Sequence, residues 1–171
     1  MIVTSCPLRI SLAGGSTDLE DFIASNGYGS VISFPSNLRT HISLHSDVLG
    51  INRLKNNYVI NYSEREEKTS VQEIKNDVAR VVLDYFNCGP VGCSFTSDVF
   101  SSGSGLASSS SYLVSLIKAV TLHKGLGLSD FEICKLALDL ERKFNPLTGQ
   151  QDTYGCGMGS LKKLTFYANR S

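Results

Sequence analysis

At 171 residues, 42% hydrophobic, 19% charged and with a formal net charge of zero, the chain has the size and composition of one soluble globular domain with a substantial core. Balanced charge gives no basis for binding nucleic acid or an anionic membrane surface, and no apolar run approaches the roughly 20 residues of a membrane span. The first eight residues lack the basic and long apolar regions of a signal peptide. Cys6, Cys88, Cys93, Cys134 and Cys156 include no C-x-x-C pair, which suits free thiols in a reducing cytoplasm and not a disulfide framework or zinc site.

In chain order, Leu8, Ile10 and Leu12 alternate with Arg9, Ser11 and Ala13, which predicts a half-buried strand with Arg9 and Ser11 on the face away from the apolar residues. A flexible polar turn, Gly14-Gly15-Ser16-Thr17-Asp18, follows, then a short helix from about Leu19 to Ser25, stopped by Asn26-Gly27. Strands are expected near 29–34, 39–46 and 58–62. Val71, Ile74, Val78, Val81, Val82 and Tyr85 recur at helical spacing, predicting one amphipathic helix that ends before Cys88-Gly89-Pro90. Val91, Cys93 and Phe95 alternate in a strand leading to Asp98.

A serine–glycine segment, 101–111, comes next, and a helix from about Leu106 to Lys124 grows out of it. Ser129 with Glu132 three residues later reads as a capping box, opening a helix that runs on toward Pro146. Residues 149–159 read as an irregular turn and 163–168 as a closing strand. The architecture is α+β, a mixed sheet packed with helices.

Three polar segments lack an obvious structural job: 9–18, 101–111 and 141–152. In the second, small residues let the backbone approach a ligand closely, a helix start favours anions, and serine hydroxyls can bind phosphate or a metal. The simplest chemistry is a cradle for a polyphosphate such as ATP. It is not a Walker A loop, since the lysine is missing, and Ser108 stands where G-x-G-x-x-G needs its last glycine. Glu141 is either a surface charge paired with Lys135 or Arg142, or a Mg²⁺ ligand. Asp152 is either a turn or N-cap residue or a general base. His41 and His45 share a strand face but lie roughly 13 Å apart, too far to chelate one ion, and His123 suits a helix C-terminus.

Together these segments resemble the GHMP kinase family of small-molecule kinases. Pro7–Asp18 resembles its first motif. Ser101–Ser111 resembles its second, P-x-x-x-G-L-G-S-S-A-A, with Ser101 in place of the proline and Ala107 in place of a glycine. The run R-I-S-L-A-G-G-S-T-D-L, together with Glu141-Arg142 and Gly149–Gly155, is closest to sugar kinases of the D-glycero-D-manno-heptose 7-phosphate kinase type. The resemblance implies the fold of a GHMP kinase N-terminal domain (ribosomal protein S5 domain 2-like) across residues 1–171, with the C-terminal domain of longer relatives absent from this chain.

The resemblance also implies site roles. Gly103, Ser104, Gly105, Leu106, Ala107, Ser108 and Ser109 would wrap ATP. Ser109 and Glu141 would ligate Mg²⁺. Asp152 would be the base, and Arg9 would neutralise the transferring phosphoryl group. Ser11, Gly14, Gly15, Thr17 and Asp18 would meet the acceptor, a sugar phosphate such as a heptose 7-phosphate. Two alternatives stand beside this: a non-catalytic nucleotide- or sugar-binding module, and half of a split kinase completed by a partner chain or a homo-oligomer.

Overall fold

The computed structural model describes residues 1–46, 56–99 and 105–168. Its elements run β1 (Ile2–Ala13), α1 (Glu20–Asn26), β2 (Tyr28–His45), β3 (Tyr58–Asn61), β4 (Arg65–Lys68), α2 (Asp77–Tyr85), β5 (Gly92–Ser97), α3 (Ser108–Lys124), α4 (Asp130–Glu141), α5 (Gln151–Gly157) and β6 (Lys162–Tyr167). The sheet is mixed: its order is β1-β2-β5-β3-β4, β6 pairs with β2, and only the β3–β5 pairing is parallel.

β2 organises this sheet. Two strands were expected from 29–34 and 39–46, and the structure joins them into one of 18 residues. β6 pairs along Tyr28–Ser33 and β5 along Thr40–His45. Pro35 falls between the two, where its missing N–H deprives neither neighbour of a ladder bond. β1 runs antiparallel along the other edge of β2, with register shifts between Pro7 and Arg9 and between Ser11 and Ala13.

The first shift corrects the expected facing of β1. Cys6 Sγ donates to the Cys156 carbonyl (3.6 Å), and Arg9 also bonds α5. Residues three apart cannot share a face of a regular strand, and the pairing is irregular here: β1 advances from Pro7 to Arg9 while β2 advances from Arg39 to Pro35, so the extra residues lie in β2. Arg9 and Ser11 are thereby aimed at α5, while Leu12 is 63% exposed.

α3 is the central helix. Leu113, Val114, Leu116, Ile117, Ala119 and Val120 are all fully buried, and they share one core with β1, β2, β3, β5, α2, α4 and α5. Its serines let it lie close to the sheet. Ser111 Oγ donates to the Cys6 carbonyl (3.0 Å) and meets Thr40 Oγ1 (2.7 Å), and Thr4 Oγ1 donates to the Ser115 carbonyl (2.8 Å). A second, smaller cluster of Ile23, Val31 and Phe166 holds α1 and β6 to β2.

Three expectations need correction. The helix expected from Val71 is a short 3-10 turn, Val71–Glu73, followed by α2. Asn76 breaks the run by capping α2, its side chain accepting from Ala79 N, and Glu66 accepts from the amides of Lys75 and Asn76. The helix expected to reach Pro146 ends at Glu141, although the Ser129–Glu132 capping box forms as expected. Residues 149–159 contain α5, which low helix propensity and its two glycines, Gly155 and Gly157, conceal. The charged strand β4 carries no alternating apolar signal. All five cysteines are free and buried, and no helix among the described residues is long and apolar enough to cross a membrane.

Candidate active site

The three polar segments converge at the start of α3. Gly105 and Ala107 both take left-handed backbone conformations (φ 66° and 62°), and Ala107 is the residue from which α3 begins. The first helical amides have no preceding carbonyl within the helix to bond, and the first turn holds serines and no acidic residue. A side chain added at Gly105 would meet open space. A helix start of this kind can serve as an anion cradle, and there is room beside Gly105. Gly103 and Ser104 lie outside the described residues; Gly105, Leu106, Ala107, Ser108 and Ser109 form this turn.

Glu141, the last residue of α4, is only 1% exposed. Ser109 Oγ donates to its Oε1 (2.6 Å) and Ser110 Oγ to its Oε2 (2.5 Å). Arg142, a candidate partner for it on sequence, pairs instead with Glu20 (2.6 Å). Burial pushes the Glu141 carboxyl above the usual range, against the pull of the two hydroxyls, and the nearby Asp152 charge pushes the same way. Ser110 was missed on sequence. Its signal was position: in a run of four serines entering a helix, neighbours can both reach one acceptor.

Asp152, in the first turn of α5, is bound by Arg9. Arg9 Nε (2.9 Å) and Nη2 (2.6 Å) both donate to Asp152 Oδ1, and Nη1 donates to the Gly105 carbonyl (3.1 Å). The Arg9 amide also donates to the Leu106 carbonyl (3.2 Å). One guanidinium thus ties the proposed base to the anion cradle. Its aliphatic stem lies along Gly155, where a Cβ would come within 3.1–3.3 Å of Arg9 Cβ, Cγ and Cδ. Desolvation raises the Asp152 carboxyl; Arg9 opposes this, and Asp18 adds to it.

The turn after β1 is internally bonded. Thr17 Oγ1 donates to the carbonyl of Gly14 (2.8 Å) or Ser30 (3.0 Å) and accepts from Ser30 N (3.0 Å). Gly14, at φ 83°, lies so close to the Ser30 carbonyl that a Cβ there would overlap it, whereas Gly15 faces open space. Ser11 Oγ donates to Gln151 Oε1 (2.8 Å). Asp18 is fully buried, and both of its oxygens accept from Gln151. The turn expected to meet a sugar therefore offers Gly15 to the open side, while Thr17 and Asp18 are engaged within the protein.

These groups suit phosphoryl chemistry. Among the described residues no three or more His, Cys, Asp or Glu side chains cluster as a metal cage. A cation at Glu141 would rest on one carboxylate, serine hydroxyls and substrate oxygens. Mg²⁺ accepts such a set, because it binds with few protein carboxylates beside phosphates and water.

Comparison with known proteins identifies the family. Residues 72–160 match the family model of the GHMP kinases N terminal domain. A curated relative, the D-glycero-alpha-D-manno-heptose 7-phosphate kinase of Campylobacter jejuni, is 32% identical over 179 aligned residues, covering 99% of this chain and 52% of the relative. Among solved structures, a D-glycero-D-manno-heptose 1-phosphate kinase from Bacteriodes thetaiotaomicron superposes with a TM-score of 0.82 at 23% identity, over 99% of this chain and 57% of that one. The Methanococcus jannaschii mevalonate kinase gives 0.72 at 22% identity, over 97% and 53%. The chain spans about half the length of these proteins.

Proposed function

We propose, on the premise that this chain belongs to the GHMP kinase family, that it forms the nucleotide-binding half of a sugar-phosphate kinase. The reaction moves the γ-phosphoryl group of ATP to a hydroxyl of a heptose phosphate or a related sugar. The observation that carries this reading is the Arg9 guanidinium, which joins Asp152 to the Gly105 carbonyl at the edge of the anion cradle. The substrate class rests on the resemblance to heptose phosphate kinases.

The phosphates lie against the first turn of α3, near Gly105, Leu106, Ala107, Ser108 and Ser109. Ser109 and Glu141 would hold Mg²⁺, which supplies charge neutralisation on the phosphate oxygens. Asp152 accepts the proton of the acceptor hydroxyl. Arg9 makes both its bonds to Oδ1, so the proton is taken at Oδ2. Burial gives this carboxylate more basicity than an exposed one, while Arg9 favours its ionised form. Arg9 also faces the cradle, where a positive charge favours the negative charge of the transferring group. Ser11, Gly14, Gly15 and Thr17 form the acceptor side, with the backbone at Gly15 as its open point.

The test is ATP turnover by this chain with Mg²⁺ and heptose 7-phosphate, beside Asp152→Asn. Loss of about 10²-fold or more in the variant is expected for a general base, with ATP binding retained. Equal turnover in both proteins removes Asp152 from the chemistry. Mg²⁺-dependent ATP binding without turnover assigns the chain the nucleotide half alone, with transfer dependent on a second half.

A further inference from the structure

Asp18 is fully buried, yet no ion pair among the described residues reaches it. What it holds is the residue before Asp152. Gln151 N donates to Asp18 Oδ2 (2.8 Å) and Gln151 Nε2 to Oδ1 (3.0 Å), while Gln151 Oε1 accepts from Ser11 of β1. We propose that Asp18 and Gln151 are positioning residues that fix Asp152, and through it Arg9, in the geometry of the site. The inference rests on the reading of Asp152 as proton acceptor.

Both carboxylate oxygens bind one residue, through its backbone and its side chain, so neither the start of α5 nor the Gln151 rotamer is free to drift. Gln151 then reaches the strand that carries Arg9, two residues from it. The first turn of α5 and β1 are locked together beside the Arg9–Asp152 pair. Gly149 is part of the device, because a Cβ there would overlap the Asp18 carboxylate. Asp18 is itself held by the bonded Thr17 turn. Gly29 lets the chain pack against that turn, since a Cβ there would overlap the Thr17 carbonyl. The motif ending in Asp18 and the motif 149–152 are therefore two halves of one clamp.

An asparagine could fill the same space, but it would turn an NH₂ toward one of the two donors. A carboxylate is acceptor at both oxygens, and its hydrogen bonds are charge-assisted. That chemistry explains why an aspartate, and not an asparagine, stands at this position.

The experiment uses the ¹⁵N-labelled chain and follows solvent exchange of the Arg9 Nε–H, which Asp152 holds. Asp152→Asn provides the reference for a weakened pair. In Asp18→Asn that exchange is expected to quicken by about 10-fold, a local opening without global unfolding. An Asp18→Asn rate equal to wild type overturns the proposal. If Asp18→Asn does not fold, Ser11→Ala, which frees Gln151 Oε1, is judged by the same criterion.

Kinetics supply a second readout. Asp18→Asn should lower kcat by ~10–100-fold through misplacement of the base, with KM for ATP nearly unchanged. Adding it to Asp152→Asn should cost little more, as expected for groups that act as one unit. A KM effect with kcat preserved overturns the positioning role. If Asp152→Asn itself leaves turnover intact, the base assignment falls, while Arg9 exchange still decides the clamp.

Discussion

Glu141 and Asp152 sit where neighbouring helices meet the cradle, and their surroundings differ in kind. Glu141 is enclosed and touched by two hydroxyls, with no ion pair reaching it among the described residues. Asp152 is a quarter exposed and bound twice by a guanidinium. Burial raises both carboxyls, but only Asp152 has a resident cation opposing the shift. A buried carboxylate touched by neutral hydroxyls has the surroundings proposed for a cation ligand. A carboxylate with its own cation is anchored, its ionised form favoured by that cation, and Arg9 leaves Oδ2 without a bond from it. One environment suits a metal ligand and the other a base.

The comparison breaks most visibly at Arg9. In Arg9→Met the Asp152 carboxyl keeps its desolvation and loses its counter-ion, so its affinity for protons rises. Turnover is expected to fall by about 10²-fold or more, the scale for removing a group that stabilises charge in the transition state. The acid limb of the pH–rate profile should move to higher pH, because the base now needs a higher pH to ionise. A deep rate loss with an unmoved limb would mean that Arg9 serves the phosphoryl group and not the base.

Glu141→Gln tests the other half. The folded-state pKa of Glu141 lies above its ordinary value, so the folded chain binds this proton more tightly than the unfolded chain. Wild type therefore loses stability as pH rises from the unfolded carboxylate pKa through the raised folded one. Glutamine does not titrate. Thermal unfolding should favour the variant increasingly across that window and then level off. Mg²⁺-dependent ATP binding should weaken by about 10-fold or more with the carboxylate gone. A stability difference independent of pH would mean that Glu141 is not held in the strained ionised form.

Gly155→Ala presses on the same comparison from beneath Arg9. Its methyl would stand within 3.1–3.3 Å of the Arg9 stem, tighter than an ordinary contact. Overpacking of this kind costs about 1–3 kcal/mol. Denaturant unfolding should show that loss, and turnover should fall with it if the stem aims the guanidinium. Stability lost with turnover intact would show that the stem can shift without moving the head group.

The site was more legible in the sequence than the strand that carries it. Arg9, Ser109, Glu141 and Asp152 stood out because polar residues at the ends of apolar-periodic elements need a reason. The irregular pairing of β1 with β2 between Pro7 and Arg9 was hidden, since simple alternation through Leu8, Ile10 and Leu12 implies the opposite facing for Arg9. α5 was hidden because Gly155 and Gly157 look like a loop, whereas they are places where Arg9 and Cys134 pack against helix backbone. The buried state of Asp18 was equally out of reach, because its partner Gln151 lies 133 positions away in the chain.

The smallest expected effect lies at Ala107. A non-glycine residue in the left-handed region costs roughly 1–2 kcal/mol, and Ala107 adopts it at φ 62° and ψ 44°. Its carbonyl accepts from Ser111 N (2.9 Å) and Cys156 Sγ (3.7 Å), so the helix and α5 hold the strained conformation in place. Ala107→Gly relieves the strain but loosens the unfolded chain by about 0.4–1 kcal/mol, and the buried methyl is lost as well. The net gain should be ~0.5 kcal/mol or less by denaturant unfolding. ATP affinity is the sharper readout, because the methyl stands at the cradle and its removal lets the backbone approach a phosphate. Tighter binding at nearly constant stability places the alanine's effect at the ligand. Unchanged binding means that the cradle already admits the phosphates, and that the alanine strains the helix start without narrowing the site.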